Sequence, residues 1–249
     1  MAAMDKTLIK SLLKNDVEVY CFDTVTSTNS VAKDLAKTEK TPFLVLSDSQ
    51  TAGRGRLGRT FYSPKDTGIY MSLTVGGFTT PQDAIFITSK SAVAVTDAII
   101  KLTEKNPKIK WVNDIYLDGK KVCGILTECV KIKNGFCAII GIGVNLTTEK
   151  FPEEISEIAG ALKTDVSREE LVSEIADNIL EMCKNKDDKS YLKKYKDRCM
   201  LTGREITYYE NSLPYHAKVL GIDDSFGLVI QTPSGERILT SGEITVRLK

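Results

Sequence analysis

The sequence predicts an α+β protein, in which a mixed, largely antiparallel sheet layered with helices is followed by a small β-barrel. Three observations predict it. Two hairpin signals, Asp118-Gly119 and Asn134-Gly135, divide residues 109–145 into antiparallel strands. Helical periodicity flanks that stretch on both sides. From Gly203 onward the texture changes to short alternating strands separated by turn clusters.

Each element follows in order. Leu8, Ile9, Leu12 and Leu13 recur at helical spacing within residues 5–14, and Val17 to Phe22 alternates like a strand. Thr26-Ser27-Thr28-Asn29 supplies side chains able to cap a helix through Val31, Ala32, Leu35 and Ala36. A strand over Phe43–Leu46, a polar Gly/Arg loop to Ser63-Pro64, and a strand over Ile69–Val75 follow. Residues 81–103 carry Ile85, Ala92, Val95, Ile99 and Leu102 as one core-facing helical stripe. Type I′ turns, which need positive φ, are expected at both hairpin signals. A helical pair covers Arg168–Cys183 and Asp187–Arg198, the first opened by Ser167 with Glu170 as a capping box. The last strands are Glu205–Tyr209, Ala217–Ile222, Leu228–Thr232, Arg237–Leu239 and Ile244–Leu248. Their turns fall at Asp223-Asp224, Pro233-Ser234-Gly235 and Ser241-Gly242. This divides the chain into residues 1–200 and a barrel over 201–249.

Composition narrows the function. Lys+Arg 34 against Asp+Glu 33 gives a net charge of +1, so no global field favours a polyanionic partner such as DNA. Six cysteines with no CxxC pair, and an N-terminus without a long apolar run, fit reduced thiols in a cytoplasmic protein. Nothing approaches the roughly 20 apolar residues of a membrane span. The single histidine, His216, lies in an alternating strand segment with no nucleophile and orienting carboxylate beside it. Chemistry without histidine is the expectation.

The most informative stretch is Gln50-Thr51-Ala52-Gly53-Arg54-Gly55-Arg56-Leu57-Gly58-Arg59. It satisfies GxGxxG and nearly satisfies a Walker A pattern, yet both of those need a helix immediately after the glycines. Phe61-Tyr62-Ser63-Pro64-Lys65-Asp66-Thr67-Gly68 is instead rich in breakers and leads to a strand. A solvated basic turn and a nucleic-acid contact remain possible for such a loop taken alone. Arg54, Arg56 and Arg59 can also pair with carboxylate or phosphate oxygens in bidentate fashion while the glycines let the backbone fold over a ligand.

The loop GRGRLGR, the upstream Ser27-Thr28-Asn29, the segment Lys110-Trp111-Val112-Asn113-Asp114-Ile115, and Gly141-Ile142-Gly143-Val144-Asn145-Leu146 resemble the motifs of biotin–protein ligases in order and approximate spacing. The resemblance runs over nearly the whole chain. It implies a catalytic domain of the biotin/lipoate ligase type, class II synthetase-like, and an SH3-like C-terminal barrel. Taken singly, Ser27-Thr28-Asn29 could be only a helix cap, Lys110-Trp111 a strand edge, and Gly141–Asn145 a strand end.

The resemblance implies that Ser27, Thr28, Asn29 and Gln50 contact biotin, together with Gly53, Arg54, Gly55 and Arg56 of the loop. Lys110 would meet both the biotin carboxylate and the ATP α-phosphate. Arg56 and Arg59 would hold phosphate oxygens, with Phe61, Asn113 and Asn145 also at the nucleotide. Lys110, Arg56 and Arg59 are thus the catalytic candidates. Two departures stand out: Val112 replaces the usual proline of the lysine motif, loosening the local backbone, and Phe61 replaces a common tryptophan, leaving a smaller stacking surface.

The implied activity forms biotinyl-5′-AMP from biotin and ATP with Mg²⁺, then passes biotin to a lysine of a biotin carboxyl carrier protein or the equivalent domain of a biotin-dependent carboxylase. A carboxylate is already ionised at neutral pH, so its attack on phosphorus needs orientation and charge neutralisation rather than a general base. Asp114 is a candidate for orienting or deprotonating the carrier lysine, or for organising Lys110 or the metal. A winged helix-turn-helix needs about sixty residues ahead of the catalytic motifs, whereas Ser27 stands almost at the N-terminus, so direct DNA binding is not expected. A homodimer is compatible with this family. The enzymatic rival is a lipoate–protein ligase or octanoyltransferase, distinguished by the loop and the barrel; a non-catalytic binding module is the rival from another class.

Overall fold

The computed structural model describes residues 4–80, 86–184, 190–210, 213–240 and 245–248. Its main sheet has seven strands in the order β1-β2-β3-β7-β6-β5-β4. These are β1 (Glu18–Val25), β2 (Phe43–Gln50), β3 (Gly68–Phe78), β4 (Lys108–Lys110), β5 (Asp114–Leu117), β6 (Lys120–Ile132) and β7 (Gly135–Asn145). Only β1 and β2 run parallel, joined across helix α2 (Thr28–Leu35); every other neighbouring pair is antiparallel.

Both faces of the sheet centre are covered, which is why β2 reads as a continuous apolar run rather than an alternation. Leu44 and Leu46 join the large core cluster, while Phe43 and Val45 pack with Ala32 of α2 and its C-cap Ala36 in a second cluster. The large cluster also takes residues from α1 (Lys6–Leu12), α3 (Ile87–Thr103), α5 (Arg168–Lys184) and α6 (Ser190–Arg198). It continues through Ile206, Val219, Phe226, Leu228 and Ile230 of the C-terminal region. There β8 (Glu205–Glu210), β9 (Leu213–Ile222), β10 (Leu228–Thr232), β11 (Gly235–Leu239) and β12 (Thr245–Leu248) form a five-stranded antiparallel sheet, ordered β11-β10-β9-β8-β12.

Local signals account for most boundaries. Asp5 caps α1, its Oδ1 accepting the Thr7 and Leu8 N–H groups at 2.8 and 3.1 Å, and Leu13 is already extended, so the helix is shorter than 5–14. The capping box opens α5: the Glu170 N–H donates to Ser167 Oγ at 3.1 Å and the Ser167 hydroxyl donates to Glu170 Oε2 at 3.0 Å. Asp223 Oδ1 accepts the Ser225 and Gly227 N–H groups at 2.8 and 2.7 Å and closes the turn between β9 and β10. Residues 81–85 and 187–189, the starts expected for α3 and α6, lie outside the described residues, as do Ser241-Gly242 and Ile244.

Two expectations change, while the first hairpin keeps its form. Asp118 and Gly119 have φ of 49° and 77° and form the expected two-residue turn. At the other hairpin the loop residues are Lys133 and Asn134, and positive φ falls only on Gly135, which begins β7 at 105°. That pattern is a turn followed by a glycine rather than a type I′ Asn-Gly pair. Ser27 is the N-cap of α2 but makes no side-chain capping bond; the Thr28 N–H is taken instead by Gln50 Oε1 at 2.9 Å, a partner 22 residues away. Two short elements, β4 and α4 (Glu153–Ser156), carry too few residues for a periodicity to register.

Candidate active site

The seven-stranded sheet carries a cavity of about 580 Å³ on the face where α2 begins, bounded by the loop between β2 and β3 and by the β4–β5 turn. Ser27, Thr28, Asn29 and Gln50 line one part of it. Arg54, Gly55, Arg56, Arg59 and Phe61 line it from the loop. Lys110 and Asn145 line it from strand ends and Asn113 from the β4–β5 turn. Of the residues expected from sequence, Gly53 alone stands behind the wall. A β-carbon there would collide with the Phe61 carbonyl oxygen and approach Ser63 Oγ to 2.7 Å, so this glycine permits a close backbone approach.

The loop is ordered by its own backbone. Gly55 N–H donates to the Arg59 carbonyl at 2.7 Å and Phe61 N–H to the Gly53 carbonyl at 2.9 Å, pairing its two arms around a short 3-10 turn over Arg56–Gly58. Leu57 and Gly58 have φ of 56° and 72°, and the Leu57 side chain stands exposed at the tip. Folded this way, the loop turns Arg56 inward, where its Nη1 donates to Asn113 Oδ1 at 3.2 Å. Burial pulls the Arg56 guanidinium below its usual pKa, Asp114 opposing that and neighbouring Arg59 adding to it.

A relay of side-chain hydrogen bonds fixes the opposite end. The Ser72 hydroxyl lies 2.8 Å from Thr28 Oγ1 and 2.6 Å from Asn29 Oδ1. Thr28 Oγ1 donates to Gln50 Oε1 at 3.2 Å, Gln50 Nε2 donates to Ser63 Oγ at 2.8 Å, and the Ser63 hydroxyl donates to the Phe61 carbonyl at 3.0 Å. Ser27, Thr28 and Asn29 are all buried. The hydroxyl and amide run at the start of α2 is therefore more than a helix cap.

The Gly-x-Gly of β7 is explained by what lies on it. Gly141 pairs with Ser72 and Leu126, and a β-carbon on it would collide with the Asn29 amide; one on Gly143 would collide with the Phe61 ring. Gly124 stands opposite Gly143, and a β-carbon there would come within 3.3 Å of both the Phe61 ring and Lys121 Nζ. Two facing glycines make a flat floor on which the aromatic ring rests.

The β4–β5 turn presents the remaining charges. Lys110 and Asp114 are cross-strand partners, and the Lys110 ammonium lies 5.5 Å from the centre of the Tyr116 ring. Trp111 and Val112 are buried, and the peptide between them is cis. Asn113 anchors the turn to β6 by donating to the Ile125 carbonyl at 2.8 Å while its own carbonyl accepts the Ile125 N–H at 3.0 Å. Asp114 is the one carboxylate among the described lining residues, and it pairs with Lys121 at 2.7 Å. Burial pushes the Tyr116 phenol up to about 12. Asn145 donates to the Gly160 carbonyl at 2.9 Å, tying β7 to the segment after it.

Ser63, Ser72, Lys121 and Tyr116 have no local signal that marks them as site residues: strand pairing brings Tyr116 and Lys121 to the cavity and Ser72 behind Thr28 and Asn29, while Ser63 joins through Gln50. His216 is on β9 beside Thr207, 3.2 Å from its Oγ1, and does not line the cavity. The arrangement is a pocket with uncharged hydrogen-bonding groups at one end and cations at the other. It suits a ligand with a polar neutral head and an anionic tail, with room for a phosphate-bearing second molecule.

Comparison with known proteins agrees. Residues 19–145 match the model of the biotin/lipoate A/B protein ligase family. The bifunctional ligase/repressor BirA of Bacillus spizizenii is 31% identical over 234 residues, covering 89% of this chain and 72% of that protein. The biotin–[acetyl-CoA-carboxylase] ligase of Paracoccus denitrificans is 28% identical, covering 88% of this chain and 96% of its own. The biotin protein ligase from Aquifex aeolicus, solved in complex with biotin and ATP, superposes with a TM-score of 0.79 at 28% identity over 93% of this chain and 99% of that one. The chain belongs to the biotin/lipoate A/B protein ligase family, among its biotin–protein ligases.

Proposed function

We propose that this ligase joins biotin to ATP as biotinyl-5′-AMP and then transfers the biotinyl group to a lysine of a biotin carboxyl carrier domain. The observation that carries this reading is the convergence, in one cavity without histidine, of Lys110, Arg56 and Arg59 with the buried Ser27-Thr28-Asn29 run. Biotin is assigned to the end near Thr28 and Gln50, with its carboxylate toward Lys110. ATP is assigned to the cationic end, with the adenine against Phe61, phosphates on Arg56 and Arg59, and Asn113 and Asn145 alongside.

In the first step a biotin carboxylate oxygen bonds to the α-phosphorus and pyrophosphate leaves. Negative charge builds on the oxygens around phosphorus, and Lys110 with the two arginines neutralises it in a partly dry site, where fixed charges act most strongly. In the second step the neutral carrier amine attacks the carbonyl carbon of the mixed anhydride, AMP leaves, and the nitrogen gives up a proton to solvent. Asp114 and Lys121 form an internal pair that orients this end of the pocket.

No group of three or more potential metal-ligating side chains occurs among the described residues. Mg²⁺ would enter with the nucleotide and supply charge neutralisation there, and Asp114, paired with Lys121, is the lining carboxylate that would face it. The five-stranded C-terminal sheet is assigned as an SH3-like domain over 201–249, following a class II synthetase-like catalytic domain over 1–200.

Exchange of labelled pyrophosphate into ATP tests the proposal. Label should enter ATP only when biotin is present. Exchange driven by lipoate or octanoate in place of biotin, or exchange independent of either, would overturn it.

A further inference from the structure

Glu128, on β6, lies outside the cavity and belongs to none of the motifs above. Its carboxylate nevertheless joins three elements. Oε1 accepts from Lys33 Nζ at 2.6 Å and from Arg54 Nη2 at 3.1 Å; Oε2 accepts from Asn29 Nδ2 at 2.9 Å and from Arg54 Nη1 at 3.4 Å. Lys33 and Asn29 are on α2, and Arg54 is on the glycine-arginine loop. The Glu128 side chain is 19% exposed, with Lys33 and Arg54 at 31% and 44%.

We propose that Glu128 is a positioning residue that pins the Arg54 arm of the loop and the start of α2 together over the end of the cavity assigned to biotin. The geometry argues this in two ways. The fork of Arg54 meets both carboxylate oxygens, a bidentate pairing that fixes direction as well as distance. The same carboxylate fixes the Asn29 amide, drawing Nδ2 outward and leaving Oδ1 to Ser72, so Asn29 is held flat over Gly141. Burial raises the Glu128 carboxyl, but the Lys33 and Asn29 hydrogen bonds and the charges of Lys33 and Arg54 outweigh it and hold the group below the usual carboxylate range. It therefore stays ionised at neutral pH. The ligand part of this inference rests on the proposed biotin reading; the latch itself does not.

The loop carries its own reporter, because it holds trypsin sites at Arg54, Arg56 and Arg59, and cleavage there should quicken when the loop is released. Glu128→Gln and Arg54→Gln would be compared with the native protein and with the double variant, each checked for an unchanged thermal midpoint. Cleavage after Arg56 and Arg59, assigned by mass spectrometry, and the dissociation rate of tritiated biotin would be followed. Each single variant should raise both rates about fivefold, the size of an ion pair of about 1 kcal/mol. The double variant should be no faster than Glu128→Gln alone, since the Arg54–Glu128 pairing is already lost in that single variant. Cleavage within twofold of native in both singles, or additive effects in the double, overturns the latch. Faster cleavage with unchanged biotin release overturns its role in retaining ligand. If the native protein fails to bind biotin, the functional reading falls while the proteolysis still decides the latch.

Discussion

The indole N–H of Trp111 donates to the main-chain carbonyl of Phe226 at 2.8 Å, joining the residue next to Lys110 to the turn between β9 and β10. The Phe226 ring stacks on Tyr191 with centroids 5.4 Å apart and meets Tyr195 edge-on at 5.3 Å. Tyr195 in turn donates its hydroxyl to the Val112 carbonyl at 3.1 Å. The small sheet therefore props the β4–β5 turn from behind.

Phe226→Ala should destabilise the protein by about 3–5 kcal/mol, the usual cost of removing a buried phenylalanine. Trp111→Phe should cost less, about 1–3 kcal/mol, because it removes the donor and leaves a buried carbonyl unpaired. Urea unfolding of both variants measures this. A Phe226→Ala loss under about 1 kcal/mol would mean that the small sheet does not support the turn.

Lys110→Ala should fold with a native unfolding midpoint and lose adenylation. Loss of one charge-stabilising donor costs about 10²–10³ in rate. Single-turnover formation of biotinyl-AMP is the measurement, and a rate within about threefold of native would remove Lys110 from the reaction.

The two glycines of β7 should separate the substrates. Gly143→Ala forces the Phe61 ring off its floor and should raise KM for ATP about tenfold or more while sparing biotin affinity; Gly141→Ala displaces Asn29 and should do the reverse. Equal effects of both substitutions on both substrates would contradict the assignment of the two ends.

Periodicity and punctuation made the framework legible: apolar spacing located α1 and α3, the Ser167–Glu170 capping box located α5, and Asp118-Gly119 located the β5–β6 hairpin. The four motifs gave the lining residues because each is a short run that reads without its neighbours. What stayed hidden depends on pairing across the sheet. Ser72 matters because β3 brings it beside Gly141, and Lys121 because β5 pairs it near Asp114. Gln50 capping Thr28, and Glu128 reaching Arg54 from 74 residues away, leave no mark in any local window.

The last prediction concerns Arg56 and the retention of the adenylate. A mixed anhydride acylates exposed lysines, so a selective ligase has to hold it until the carrier docks. Arg56 is the loop guanidinium whose Nη1 reaches Asn113 at 3.2 Å, which places it on the inner face of the loop. A charge-assisted hydrogen bond from it to the ligand contributes about 1.5–3 kcal/mol, and glycine at this position also adds backbone freedom beside Gly55 and Leu57. Such a loss speeds escape by roughly 10–150-fold. Arg56→Gly should make the adenylate more slowly and release it into solution. With biotin, ATP and an unrelated lysine-rich bystander protein, the variant should label the bystander far more than native protein at equal adenylate production. An unlabelled bystander, with adenylate formed at a normal rate and still bound, would show that Arg56 does not retain the intermediate and that the loop serves biotin alone.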